Sequence, residues 1–379
     1  MEKDDCNRRE FIATIAVGSL LFIGVSPMAS FGSAKRTLDT PNGTDLLVYL
    51  DSLGEKKRVT TPEEWAIKRR QILEGMQKAM GSLPGLSGLP PMDIEINGRL
   101  KQHNYTRYTI NFTVAENERV PAYLYVPSRK SKKHRLPAML ALHETDSFGK
   151  KSVDGEGYHI NLGYAKELAK RGYVVIAPDY PGYGDLKGYD FKTDRYQSGT
   201  MKSIFDNIRC IDLLQARHDV DPDRIGVIGH SLGGHTALFT AAFDPRLKVI
   251  VSSCGWTLMA YYDAGEEITK RFGGRLGAWA QEVYMPLLRD TYNLDINQIP
   301  FDFDEVIAAL APRAFFSNSP VMDGYFNING VRKGIAAVGK VYDFLEVKDK
   351  PVVRYPDSEH DFPQEVQSEA YRFIDTVLK

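Results

Sequence analysis

The stretch Arg224-Ile225-Gly226-Val227-Ile228-Gly229-His230-Ser231-Leu232-Gly233 decides how this chain is read. A short β-branched run ends in Gly-x-Ser-x-Gly, and a helix-forming segment, His235 to Phe243, follows directly. That order predicts a strand, a sharp turn and a helix. The turn lifts the Ser231 hydroxyl above the sheet edge, within reach of both a base and a carbonyl carbon. The pentapeptide alone also occurs by chance in glycine-rich loops; the β-run and helix on either side of it favour a nucleophile.

Around such a turn the acid and the base follow the serine in chain order. Of the eight histidines, only His235 and His360 lie beyond Ser231. His235 falls on the helix leaving the turn, too near in sequence to fold back over the hydroxyl. His360 sits in the polar loop Ser358-Glu359-His360-Asp361-Phe362-Pro363, after the β-like run 351–355 and before a last helix from Gln364 to Leu378. The strand ahead of it (312–318) is followed by Pro320-Val321-Met322-Asp323-Gly324, which makes Asp323 the expected acid. Asp343 on a predicted helix and Asp349 in a charged turn are the alternatives, since Asp before Gly is also a common turn pair. For the oxyanion, one expected donor is the amide of Leu232. The other is the amide of Thr145, in the loop His143-Glu144-Thr145 after the apolar run 136–142. His143 is expected to shape that loop rather than act as a second base.

Composition sets the background. The 379 residues are 43% apolar and 26% charged with a formal net charge of −1, ordinary globular material without internal repeats. No basic run is interleaved with aromatics, so nucleic acid is not an implied partner. A small-molecule or carbohydrate ester fits better, and nothing in the chain speaks to oligomeric state. His143-Glu144-Thr145-Asp146-Ser147 begins like a zinc helix motif but ends in Ser, so no metal and no cofactor are expected. Of three cysteines, Cys6 belongs to the leader, and Cys210 and Cys254 read as separate buried thiols, although export would allow them to pair.

Asn7-Arg8-Arg9-Glu10-Phe11, an apolar stretch to Val25 and the small-residue end Gly32-Ser33-Ala34 read as an export signal of twin-arginine flavour over residues 1–34. The expected location is therefore periplasmic or secreted. The stretch is shorter than a membrane span needs, and its head is more acidic than usual for a signal. Residues 35–92 form an N-terminal helical extension and linker, with a helix from Pro62 to Met80 capped by Thr61 and closed by Gly81. Residues 93–379 form an α/β domain. Alternating Tyr, Thr, Val and Ile from Asp93 to Val126 predict antiparallel strands at the N-terminal edge. Short apolar runs alternating with helices then predict a mostly parallel sheet covered on both faces. Right-handed crossovers place every strand's carboxyl end, and so Ser231, Asp323, His360 and Thr145, on one rim.

A long connection, 256–311, interrupts this pattern and is rich in aromatic residues and arginine. It reads as a cap or a substrate wall. Trp256, Trp279, Arg275 and, outside it, Tyr180 are the candidate substrate-binding residues; these rings either stack on a sugar or simply pack the cap.

The chain resembles the α/β-hydrolase superfamily, and more narrowly its dienelactone-hydrolase-like and acetyl-xylan-esterase-like branch. The resemblance rests on Trp65 with Arg69-Arg70, on Glu167 to Tyr173 leading to Ala177-Pro178-Asp179-Tyr180, on Gly229 to Gly234, and on His360-Asp361-Phe362-Pro363. It implies a serine carboxylic-ester hydrolase acting through an acyl-enzyme, often on acylated carbohydrates. The sequence departs from the usual His-Gly-x oxyanion loop, and its nucleophile is Ser rather than the Cys of dienelactone hydrolase. A peptidase of the same fold and a non-catalytic carbohydrate-binding homologue are the rival expectations.

Overall fold

The computed structural model describes residues 45–128, 135–349 and 351–379. The expected export signal, 1–34, lies outside them. Strands β1 (Val48–Leu50) and β2 (Lys56–Arg58) form a small antiparallel hairpin. The other nine strands make one sheet: β3 (Ile94–Lys101), β4 (Tyr105–Ala115), β5 (Glu118–Pro127), β6 (Leu136–Leu142), β7 (Val174–Pro178), β8 (Val220–His230), β9 (Leu247–Ser253), β10 (Ala314–Asn318) and β11 (Val352–Arg354). Their spatial order is β11-β10-β9-β8-β6-β7-β5-β4-β3.

The alternating N-terminal segment forms the antiparallel edge. β4 and β5 pair from Tyr105↔Pro127 to Ala115↔Glu118 around a tight turn, where Asn117 takes φ 60, a conformation Asn tolerates better than most residues. From β7 to β11 the pairing is parallel. These strands are short and mostly buried because both faces are covered. Along β6, Ala138, Leu140 and Leu142 enter one core, while Met139 and Ala141 enter the other. The covering helices are Tyr164–Lys170, Gly199–Ala216, Leu232–Phe243, Ile328–Phe344 and Gln364–Leu378.

Strand order reverses around β6, which has β7 on one side and β8 on the other. At such a switch point the loops leaving the two strands diverge and open a crevice. The loops after β6 and β8 carry Thr145 and Ser231.

The extension packs onto this body through its helix, Pro62–Met80. The Thr61 side chain accepts the Glu64 N–H, and Glu64 reaches back to the Thr61 N–H, a reciprocal cap. Trp65, Ile72 and Met76 enter the larger core. Lys68 pairs with the buried Glu305 at 3.0 Å, and Arg69 donates to the carbonyls of Ala309 and Ala242. Among the described residues, no helix is long and apolar enough to cross a membrane.

Candidate active site

The turn at Ser231 is as sharp as its sequence implies. Ser231 has φ 53 and ψ −120, its N–H donates to Ser253 O at 2.8 Å, and its own carbonyl accepts the His235 N–H. The flanking glycines are demanded by contact. A Cβ on Gly229 would lie 2.2 Å from the Gly233 backbone, and one on Gly233 would lie 2.1 Å from Leu142 O. The helix starts at Leu232, so the N–H groups of its first turn have no acceptor within the helix and sit beside the serine.

His360, in the loop after β11, bridges two residues. Its Nε2 lies 2.9 Å from Ser231 Oγ, and its Nδ1 lies 2.9 Å from Asp323 Oδ2. Asp323 Oδ1 accepts the N–H groups of Tyr325 and Phe326, which fixes the carboxylate with its side chain 1% exposed. Since the carboxylate accepts at both oxygens, the imidazole proton belongs on Nδ1, leaving Nε2 to accept from the serine hydroxyl. Asp323, not Asp343 or Asp349, meets His360; Asp343 lies exposed on the helix Ile328–Phe344. Phe326 stacks on the His360 ring at 5.8 Å and Tyr325 meets it edge-on at 5.0 Å.

Three further histidines, His230, His143 and His235, are buried. His230 lies 5.1 Å from the His360 ring and bonds Ser253 Oγ; burial, then the neighbouring His360, holds its pKa well below the usual value. His143 donates Nδ1–H to Glu144 O and accepts the Tyr180 N–H at Nε2, the loop-shaping role expected of it. His235 is wholly buried, with both ring nitrogens lacking a hydrogen-bond partner, and burial pushes its pKa down to about 3.

The loop His143-Glu144-Thr145 shows what sequence reading missed. Glu144 is buried and accepts from His159 Nδ1 at 3.0 Å through both oxygens, and burial raises its pKa. Asn161, two residues on from His159, donates to Asp361, which adjoins His360. Segment 159–161 thus ties the Thr145 loop to the His360 loop. Glu144 stands where the usual loop has Gly; that departure was the available signal. Thr145 Oγ1 is 3.3 Å from the Tyr284 hydroxyl, itself 2.6 Å from that of Tyr183.

Two of the candidate wall residues need correction. Trp256 is 1% exposed and donates Nε1–H to Ser317 Oγ, so it packs the core beneath the insertion. Tyr180 is 3% exposed, with its ring against His143; its apolar run carries it inward. Arg275 donates to the Ala260 carbonyl and so braces the insertion. Trp279 is half-buried, stacked on His235 at 4.5 Å and close to Tyr262, Tyr284 and Phe326. It therefore belongs to the aromatic group that reaches His360. Cys210 and Cys254 are free and buried.

A switch-point sheet with its serine on a strained strand-to-helix turn defines the class: the chain has the α/β-hydrolase fold. The model of the prolyl oligopeptidase family matches residues 160–297. The chain is 29% identical over 325 residues to the Bacillus subtilis protein YtaP, a hydrolase by its name, covering 83% of this chain and 99% of YtaP. It is 24% identical to carbohydrate esterase MZ0003 of an unknown prokaryotic organism, covering 83% and 81%. The structure of a glucuronoyl esterase from Solibacter usitatus superposes with a TM-score of 0.64 at 19% identity, covering 90% of this chain and all of that one.

Proposed function

We propose that this protein is an exported serine carboxylic-ester hydrolase that deacylates a carbohydrate or related small ester without a cofactor. The observation carrying this reading is the continuous contact from Ser231 Oγ through His360 to Asp323, 2.9 Å at each step. In this mechanism His360 Nε2 takes the hydroxyl proton as Ser231 Oγ attacks the ester carbonyl, and Asp323 holds the imidazolium in place. The amides of Leu232 and Thr145 receive the oxyanion. As the tetrahedral intermediate collapses, the proton passes from His360 to the leaving alkoxide and an acyl-Ser231 ester remains. Water, deprotonated by the same imidazole, releases the acid and restores the serine. The likeness to carbohydrate esterases and the half-buried Trp279 support a sugar-bearing substrate, since aromatic faces stack on apolar sugar faces.

The test is a panel of acetyl, feruloyl and methyl-glucuronate esters with wild type and Ser231→Ala, read by released acid. Hydrolysis that depends on Ser231 supports the proposal, and wild-type rates in the alanine variant overturn it. The match to the prolyl oligopeptidase family favours a second reading, a peptidase, which an aminoacyl amide assayed alongside distinguishes. Failure of a fluorophosphonate probe to label Ser231 would favour a non-catalytic binding role. Export is tested by the N-terminus of the protein recovered outside the cytoplasm, which is expected to begin near residue 35.

A further inference from the structure

We infer that Cys254, Asp323 and His360 form a site for a thiophilic divalent cation of the zinc class, and that its occupancy turns the base off. Three strand ends deliver these residues: Cys254 directly follows β9, Asp323 follows β10 and His360 follows β11. A Cys254 sulfur, an Asp323 oxygen and a His360 ring nitrogen lie within 4.8 Å of one another, among the described residues the one such convergence of three metal-ligating side chains. Thiolate, imidazole and carboxylate together are a zinc donor set, whereas Mg²⁺ and Ca²⁺ prefer oxygen alone. With bonds of about 2.0–2.3 Å to a tetrahedral ion, the donors need shifts on the order of 1 Å.

Two features of the surroundings fit this role. Cys254 is held at φ 48, a left-handed conformation that non-glycine residues seldom adopt, and its thiol donates to Asp361 O at 3.2 Å and accepts weakly from Ser253 Oγ at 3.9 Å and Asn318 Nδ2 at 3.8 Å. Next to it, Asn318 is fully buried and directs Nδ2 to Ser253 Oγ, Asp361 O and, weakly, Cys254 Sγ. Asn318 Oδ1 has no hydrogen-bond partner, an orphan acceptor beside the cluster of the kind that calls for an explanation.

The cation takes the place of the proton shared by His360 Nδ1 and Asp323 Oδ2. Cys254 releases its thiol proton to solvent and binds as the thiolate. The imidazole stays neutral, with the metal on Nδ1 and its proton on Nε2, where it can no longer accept from Ser231. No oxidation state changes. Inhibition rests on the reading of His360 as the base; cation binding does not.

The experiment therefore has two arms. Co²⁺ titrated into the Ser231→Ala protein is expected to give the near-ultraviolet thiolate-to-cobalt absorption, and adding Cys254→Ser is expected to abolish it with the circular dichroism spectrum unchanged. In the activity arm, buffered free Zn²⁺ inhibits wild-type ester hydrolysis and EDTA reverses it. Cys254→Ser keeps basal turnover but needs at least tenfold more Zn²⁺, while Mg²⁺ has no effect. Absence of the cobalt band, or equal Zn²⁺ sensitivity in Cys254→Ser, overturns the site; Cys254→Ala replaces the serine variant if that does not fold. A cobalt band in a protein that hydrolyses no ester would leave the cation site standing and remove the esterase reading.

Discussion

Single residues set the chemistry, and their contributions separate cleanly by substitution. Ser231→Ala is expected to lower ester kcat by about 10⁴ or more. Asp323→Asn is expected to lower it by about 10³–10⁴, because the amide favours the wrong imidazole tautomer. Steady-state kinetics on one activated acetate ester checks both, and a loss below tenfold in either would contradict the assigned roles. Gly233→Ala tests the turn rather than the chemistry. Its methyl would fall 2.1 Å from Leu142 O, so strand and helix must separate, at a cost of about 1–3 kcal/mol. Urea unfolding should show that loss, together with reduced turnover.

At the scale of elements, the helix Pro62–Met80 and the insertion make opposite predictions. Thr61→Ala removes the acceptor for the Glu64 N–H and should cost about 1 kcal/mol of stability without moving kcat, since the helix docks far from the serine in sequence and serves the core. Trp279→Ala should do the reverse. Its indole lies half-buried among rings that lead to His360, so KM for a sugar ester should rise several-fold more than KM for a simple alkyl ester. Equal changes for the two substrates would assign Trp279 to packing alone.

The whole molecule carries a proton linkage that follows from what it buries. His235 is held neutral, with its pKa pushed down to about 3 by burial, against about 6.5 in an unfolded chain. Between those values the unfolded state binds the extra proton, so stability is complete above pH 6.5 and falls as the solution is acidified toward pH 3. The slope is about 1.4 kcal/mol per pH unit for one group. Buried His230 and His143, also shifted down, act in the same direction. Asp206, pushed up to about 6 by burial, opposes them above its unfolded pKa. His235→Phe, compared with wild type by urea unfolding from pH 7 to 4, should remove about one proton's worth of slope; parallel curves would contradict the linkage.

Much of this molecule was legible in the order of its residues, because local patterns report local needs. Strand-sized β-branched runs, Thr61 with Pro62, Gly229 and Gly233 around the serine, and the rule that the base follows the nucleophile are constraints each segment meets within its own neighbourhood. They were enough for the sheet, the helices and the pairing of His360 with Ser231. What lay beyond them depends on distant partners meeting. Aromatic content cannot distinguish Trp256, sealed in the core, from Trp279, half-buried and joined to His360 only through Phe326, since both are large apolar rings in one insertion and only packing assigns their sides. The clasp of Glu144 by His159 and the approach of Cys254 to Asp323 and His360 arise where separate strand ends converge. Spacing along the chain says nothing of such distances; the sheet's strand order, which brings those ends to one rim, decides them.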